Sequence, residues 1–158
     1  MANTQAMTTS FMGELMTATH NFGTAPVRAS GATDAFKAAL YLASATMNAA
    51  STAYTAVNEV SGTGYSAGGV AVTFGTPPTA TNSSATAGVA FVTPSASITY
   101  TGVTLATAFD AVLIYNSTQS DKAVSVHTFG SQTITAGTFT LTMPANTTST
   151  ALIRLATT

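Results

Sequence analysis

The chain has 158 residues, no cysteine and a formal charge of −1: the length of one domain, able to bury a core, with no disulfide, thiolate metal site or cysteine nucleophile. Only 6% of its residues are Asp, Glu, Lys or Arg, against roughly 25% in an ordinary soluble domain. Its exterior is therefore expected to consist of Thr, Ser, Asn, Ala and Gly, groups that lose water at modest cost when another chain covers them.

Residues 7–22 carry the one helical spacing, with Phe11, Leu15, Ala18 and Phe22 recurring at intervals of four, three and four. Thr8, Thr9 and Ser10 offer caps, Glu14 sits near the first turn, and Gly23 stops the run. A stretch through Pro26 and residues 29–32 reads as a linker, so residues 1–33 are expected to form an N-terminal arm and 34–158 a separate β-domain. Phe36, Ala38, Leu40 and Leu42 then alternate with Lys37, Ala39 and Tyr41 as a strand with one buried face, and Val70, Val72 and Phe74 repeat the device. Between them, Gly62, Gly64, Gly68 and Gly69 lack the register and the lysine of a phosphate-binding loop and instead suit positive φ in a turn, with Tyr65 packed over the backbone. Pro77-Pro78 and the polar run to Thr86 read as a loop that no regular strand crosses.

Beyond it, residues 89–92, 97–105, 111–115, 123–129, 133–135, 138–143 and 151–155 are each of strand length. Residues 116–121 and Ala136-Gly137 are turn-sized, which predicts antiparallel hairpins. Residues 111–115 are continuously apolar, as in a central strand covered on both faces. The expected fold is mainly β, an antiparallel two-sheet sandwich of jelly-roll or Ig-like type with a short N-terminal helix.

Chemistry is sparse. The acids Glu14, Asp34, Glu59, Asp110 and Asp121 do not cluster as a calcium loop, and His20 and His127 have no partner at metal-ligand spacing. Ser125 and His127 should share a strand face opposite Val124 and Val126, but no strained elbow presents a nucleophile; His20 is read as a helix C-terminal cap. No enzyme, cofactor or metal is expected. The basic residues Arg28, Lys37, Lys122 and Arg154 are scattered, which argues against nucleic acid. No apolar run reaches the ~18 residues that span a bilayer, and the first residues lack a secretory pattern, so synthesis and retention in a cytoplasm are expected. The functional candidate is a contact surface on the N-terminal helix, formed by Phe11, Met12, Leu15, Met16 and Phe22, where methionine adapts to an irregular partner.

Three segments carry a likeness: Phe36-Lys-Ala-Ala-Leu-Tyr-Leu42, residues 53–69 (Ala-Tyr-Thr-Ala-Val-Asn-Glu-Val-Ser-Gly-Thr-Gly-Tyr-Ser-Ala-Gly-Gly), and Ala111-Val-Leu-Ile-Tyr-Asn116 followed by Lys122-Ala-Val-Ser-Val126. With a closing Gly137-Thr-Phe-Thr-Leu-Thr-Met-Pro144 and Ala151-Leu-Ile-Arg-Leu155, they resemble a family of small virion proteins of tailed bacteriophages. The resemblance implies a structural role in a virion assembled in a host cytoplasm, without catalytic residues. The expected function is a capsid decoration or cement protein, a trimer or other homo-oligomer in contact with the major capsid protein. The alternatives are a tail, collar or fibre-base component in contact with tail proteins, and a carbohydrate-binding module using Tyr54, Tyr65 and Tyr100.

Overall fold

In the computed structural model, which describes residues 2–16, 19–22, 33–82 and 88–156, the β-branched and aromatic runs form strands and the N-terminal segment a short helix. In chain order the elements are β1 (Ala6–Met7), α1 (Thr9–Met16), β2 (Phe36–Leu42), β3 (Val70–Val72), β4 (Thr79–Asn82), β5 (Gly88–Val92), β6 (Ile98–Asn116), β7 (Lys122–Leu141) and β8 (Ile153–Ala156). Every pairing is antiparallel. Two sheets result, ordered β1-β7-β6-β2-β3 and β4-β5-β8, the mainly β, two-sheet architecture expected from the sequence.

The larger sheet is covered on both faces. Its first face, with Phe36, Ala38 and Leu40 on β2 and Val112 and Ile114 on β6, shares one core with Val92 and Ile153 of the smaller sheet. Its second face, with Ala39, Tyr41, Leu113 and Tyr115, packs against Ala45, Met47 and Tyr54 from the segment that follows β2. The unbroken apolar run 111–115 is thus a central strand buried on both sides.

Three expectations about the strands are corrected. Residues 97–105 and 111–115 join into the 19-residue β6, and the three runs between 123 and 143 into the 20-residue β7. The breaks between them are register shifts within one long hairpin rather than turns: Ala136 takes a φ of 46°, and the chain bulges there without reversing. β4 occupies Thr79–Asn82, the first part of the stretch read as a loop after Pro77-Pro78, and residues 83–86 of that stretch lie outside the described residues; the prolines lie just before the strand, which is an edge, where a missing donor costs nothing. A further shift between Ile114 and Tyr115 places Val124 in the first core and Val126 in the second, so those two valines do not point the same way.

The helix is shorter than the spacing 7–22 predicted. Ala6 and Met7 pair instead with Val126 and Ser125 as β1, and Thr8 donates its backbone N–H to the Val124 carbonyl (3.1 Å). After Met16, residues 19–22 are non-helical, and Phe22 stacks on Phe36 (ring centroids 4.6 Å) and meets Phe74 edge-on (4.9 Å). The described part of the expected arm therefore packs into the core of the 34–158 domain; Gly23 and the linker 24–32 lie outside the described residues. No helix among the described residues is long and apolar enough to cross a membrane.

Candidate interaction surface

The five residues expected to form a contact surface are divided by the fold. Phe11 is 1% exposed and Phe22 is buried, both inside the first core. These two rings close the end of their own sandwich, because the edge-to-face packing of Phe11 on Phe22 and on His20 removes more apolar area than a solvent-facing position allows. Leu15 is half-buried. Met12, at 45% exposed, faces outward; the side chain of Met16 lies outside the described residues.

Helix α1 is tied down by a polar chain. Glu14 accepts hydrogen bonds from Lys122 Nζ (2.6 Å) and His20 Nε2 (2.8 Å). Asn116 Nδ2 donates to His20 Nδ1 (3.0 Å) and Asp34 Oδ2 (2.8 Å), and Asn116 Oδ1 accepts the backbone N–H groups of Thr118 and Gln119. Burial would raise the Glu14 carboxyl, but the bonds from Lys122 and His20 outweigh it and hold it below its ordinary value. Burial pulls His20 below its ordinary value despite Glu14 beside it. A neutral His20 that donates from Nε2 and accepts at Nδ1 satisfies all its neighbours. His20 is thus a buried connector, not the C-terminal cap expected, because the chain leaves the helix before reaching it; the Glu14 carbonyl is met by the Thr19 N–H (2.9 Å).

A second fastener holds residues 52–69. Glu59 accepts from Tyr54 Oη (2.6 Å), Tyr65 Oη (2.7 Å) and the Gly68 N–H (2.8 Å). Tyr65 Oη also accepts the Leu40 N–H (3.0 Å), and Tyr41 Oη donates to the Thr55 carbonyl (2.6 Å). Burial, then the Glu59 bond, pushes the Tyr54 phenol up to about 12, so these hydroxyls act only as hydrogen-bond groups. Three of the four glycines serve this strap as expected: Gly64, Gly68 and Gly69 have positive φ, and a Cβ on Gly69 would collide with the Ala38 carbonyl; Gly62 lacks positive φ and is required instead by the close approach of the Thr104 carbonyl. The same packing disposes of the three tyrosines as open sugar platforms. Tyr54 stacks on Tyr115, Tyr65 stacks on Tyr100, and Tyr100 is buried.

Ser125 and His127 do share a face, with Ser125 Oγ 2.9 Å from His127 Nε2, beside a cleft of about 350 Å³ that also meets Gln5, Met7 and Arg154. Burial lowers the His127 imidazole to about 4. Neither Asp110 nor Asp121 completes a triad: Asp110 accepts from Asn3 Nδ2 (2.5 Å), and Asp121 lies in the turn before β7. Among the described residues no three of His, Asp and Glu converge as a metal-ligand set.

What remains for contact is the exterior. Of the eight charged residues described, only Arg154 is exposed; the other seven are buried or half-buried. Only three large apolar side chains are exposed among the described residues: Met12, Leu155 at 38% and Val57 at 69%. Sequence reasoning singled out Met12 and missed the other two. Val57 carries no periodic signal, although its place before Asn58, a residue that tolerates left-handed backbone, marks it as a turn. No protein-family model, curated protein sequence or solved structure matches the chain.

Proposed function

We propose that this chain is a structural protein of a tailed-bacteriophage virion, and that it decorates and cements the capsid shell as a homo-oligomer in contact with the major capsid protein. The observation that carries the proposal is the inward withdrawal of charge. A chain already poor in ions commits Glu14, Asp34, Glu59 and Lys122 to internal fasteners, which leaves an exterior mostly of hydroxyls, amides and small apolar groups that a neighbour can dry at low cost. The likeness of residues 34–156 to small virion proteins of tailed phages supplies the setting. Each subunit contact then adds apolar burial worth ~25 cal/mol per Å², repeated over a symmetric shell.

The test compares particles with and without this protein under heating and mild denaturant. Cementing predicts a higher bursting temperature when the protein is present, and an equal one refutes it. Copy number separates the tail, collar or fibre-base alternative, since a count of roughly 3, 6 or 12 per particle follows from a tail's closed symmetry. The carbohydrate-binding alternative lacks the open aromatic platforms it requires.

A further inference from the structure

The cleft beside Ser125 and His127, of about 350 Å³, does not end at His127. A second cleft of about 230 Å³ adjoins it, and Gln5, His127 and Leu152 line both. The two form one groove between β7 and the run 151–154 that leads into β8. Every residue on its walls, and the chain neighbours of each, belongs to the described segments.

The two ends of the groove differ in chemistry. At the first end Arg154 is exposed and makes no ion pair among the described residues. One of its guanidinium N–H groups reaches the Ser149 carbonyl (2.9 Å), and no acid stands on the walls to hold the others. Burial keeps His127 uncharged at neutral pH. A neutral ring joined to Ser125 Oγ through Nε2 leaves that pair one donor to spare, the Ser125 O–H or the His127 Nδ1–H according to which residue gives the bond between them. A cation and an unused donor thus meet at this end. At the second end the walls are predominantly apolar, with Ile98, Val112, Ile114, Phe129, Leu141 and Met143 beside the hydroxyls of Thr128 and Thr142. Ile98, Val112 and Ile114 belong to the first core, so this end opens onto the interior of the sandwich. Mostly apolar walls with a few convergent polar groups, in a volume of roughly 300 to 1,000 Å³, are what small-ligand sites have in common.

We infer that the groove binds a single-chain amphiphile with an anionic head. The head meets Arg154 and the spare donor of the Ser125–His127 pair, and the tail passes Leu152 to lie over Ile98, Phe129 and Met143. The second end has room for about eight groups the size of a water molecule at ~30 Å³ each, which sets the tail near eight carbon atoms. An extended peptide fits this end less well. Its walls are side chains of a sheet face rather than a free sheet edge, and the N–H and C=O groups of a peptide would be dried there without partners. The site is independent of the virion role proposed above.

Calorimetric titration of the purified chain with octanoate and with octyl phosphate tests the inference, the two probes separating a carboxylate from a phosphate head. At least one should bind saturably, and about tenfold or more tighter than octyl glucoside, which carries the same tail without charge. Acetate and inorganic phosphate, heads without a tail, should bind at least about tenfold more weakly than their octyl counterparts. Arg154→Gln should abolish the preference for an anionic head and leave octyl glucoside binding unchanged. Leu152→Trp fills the passage between the two ends and should remove the advantage of the tail. Chemical-shift changes in the wild-type chain locate the ligand whether or not that variant folds, and should centre on residues 125–129 and 141–143. Failure of both anionic probes to bind, equal affinity for octyl glucoside, or shifts centred elsewhere overturns the inference. So does a groove that takes an extended threonine-valine peptide but neither amphiphile. The bursting temperature of particles bears on the cement role alone.

Discussion

Glu59 is the point at which removal of one side chain should cost most relative to its size. Its carboxylate takes three donors, from Tyr54, Tyr65 and Gly68, at 2.6 to 2.8 Å. In Glu59→Ala, Tyr54 is half-buried and regains water, while Tyr65 Oη and the buried Gly68 N–H lose their acceptor inside the strap. One buried and one half-buried donor left unpaired, at roughly 1 to 3 kcal/mol each, together with the lost charge-assisted bond, give about 3 to 5 kcal/mol. For a chain of this length the melting temperature should fall by roughly 6 to 20 °C. Glu59→Gln keeps one acceptor oxygen and should cost about 1 to 2 kcal/mol. Because Tyr65 and Glu59 share one bond, the double variant Glu59→Ala/Tyr65→Phe should cost less than the sum of the singles. Urea denaturation measures all four, and hydrogen exchange across residues 60–69 reports whether the strap opens first. A Glu59→Ala variant within about 1 kcal/mol of wild type would show that the strap is held by its glycines and ring stacking alone.

Two further outcomes follow from buried groups. Burial holds the His127 imidazole near 4 against an ordinary value of 6.5; the unfolded chain therefore takes up the proton first, and stability present above pH 6.5 is lost as the pH falls toward 4. His127 should contribute a loss of roughly 2 kcal/mol between pH 7 and pH 5. Denaturation curves at the two pH values should show that loss in wild type and a smaller one in His127→Gln; equal losses would mean that water reaches the ring. Asn116 uses both ends of its amide on four partners, so Asn116→Ala should destabilise by about 3 to 5 kcal/mol. It should also raise proteolysis within residues 2–22, and an unchanged cleavage pattern would deny Asn116 its part in seating the N-terminal segment.

How much of this was legible in the sequence depended on whether a signal was local. β2 was readable as a strand from its alternation but not as one buried on both faces, since Ala39 and Tyr41, on the face that read as open, are covered by the segment after β2, which is remote from any local signal. The two-sided burial of 111–115 was readable because its apolar run is unbroken. The length of the central hairpin was not. Ala136-Gly137 looks like a turn in isolation, and only pairing with β6 across tens of residues decides that it is a bulge. The contact surface on α1 misread Phe11 and Phe22 for a related reason. A short helix with apolar residues on several sides has the same sequence whether it meets another chain or its own sandwich, and Phe36 and Phe74, which capture Phe22, lie 14 and 52 residues further on. The role of Glu59 was not legible at all, since it needed the Gly68 turn to bring Tyr54, Tyr65 and the Gly68 N–H to one carboxylate.

The internal ions bear on how such a chain finds one fold at all. Burying Asp34 and half-burying Glu14, Glu59 and Lys122 carries a desolvation cost that apolar replacements avoid, so their placement calls for a reason other than stability. Runs of Thr, Ala, Ser and Val pair with one another almost indifferently, and a slip of one residue turns every side chain to the wrong face. Glu14 and Lys122 stand where the N-terminal segment meets the hairpin, and Glu59 where the strap crosses β2. Each occupies a junction between distant segments that apolar packing alone specifies poorly. Ions used in this way fix which segment docks where, and their withdrawal from solvent leaves the uncharged exterior. Local order should therefore fail at the strap and at the N-terminal segment before the sandwich melts in the Glu59 and Asn116 variants. If both variants instead unfold in one step with protection lost uniformly, these groups only add to stability and do not specify register.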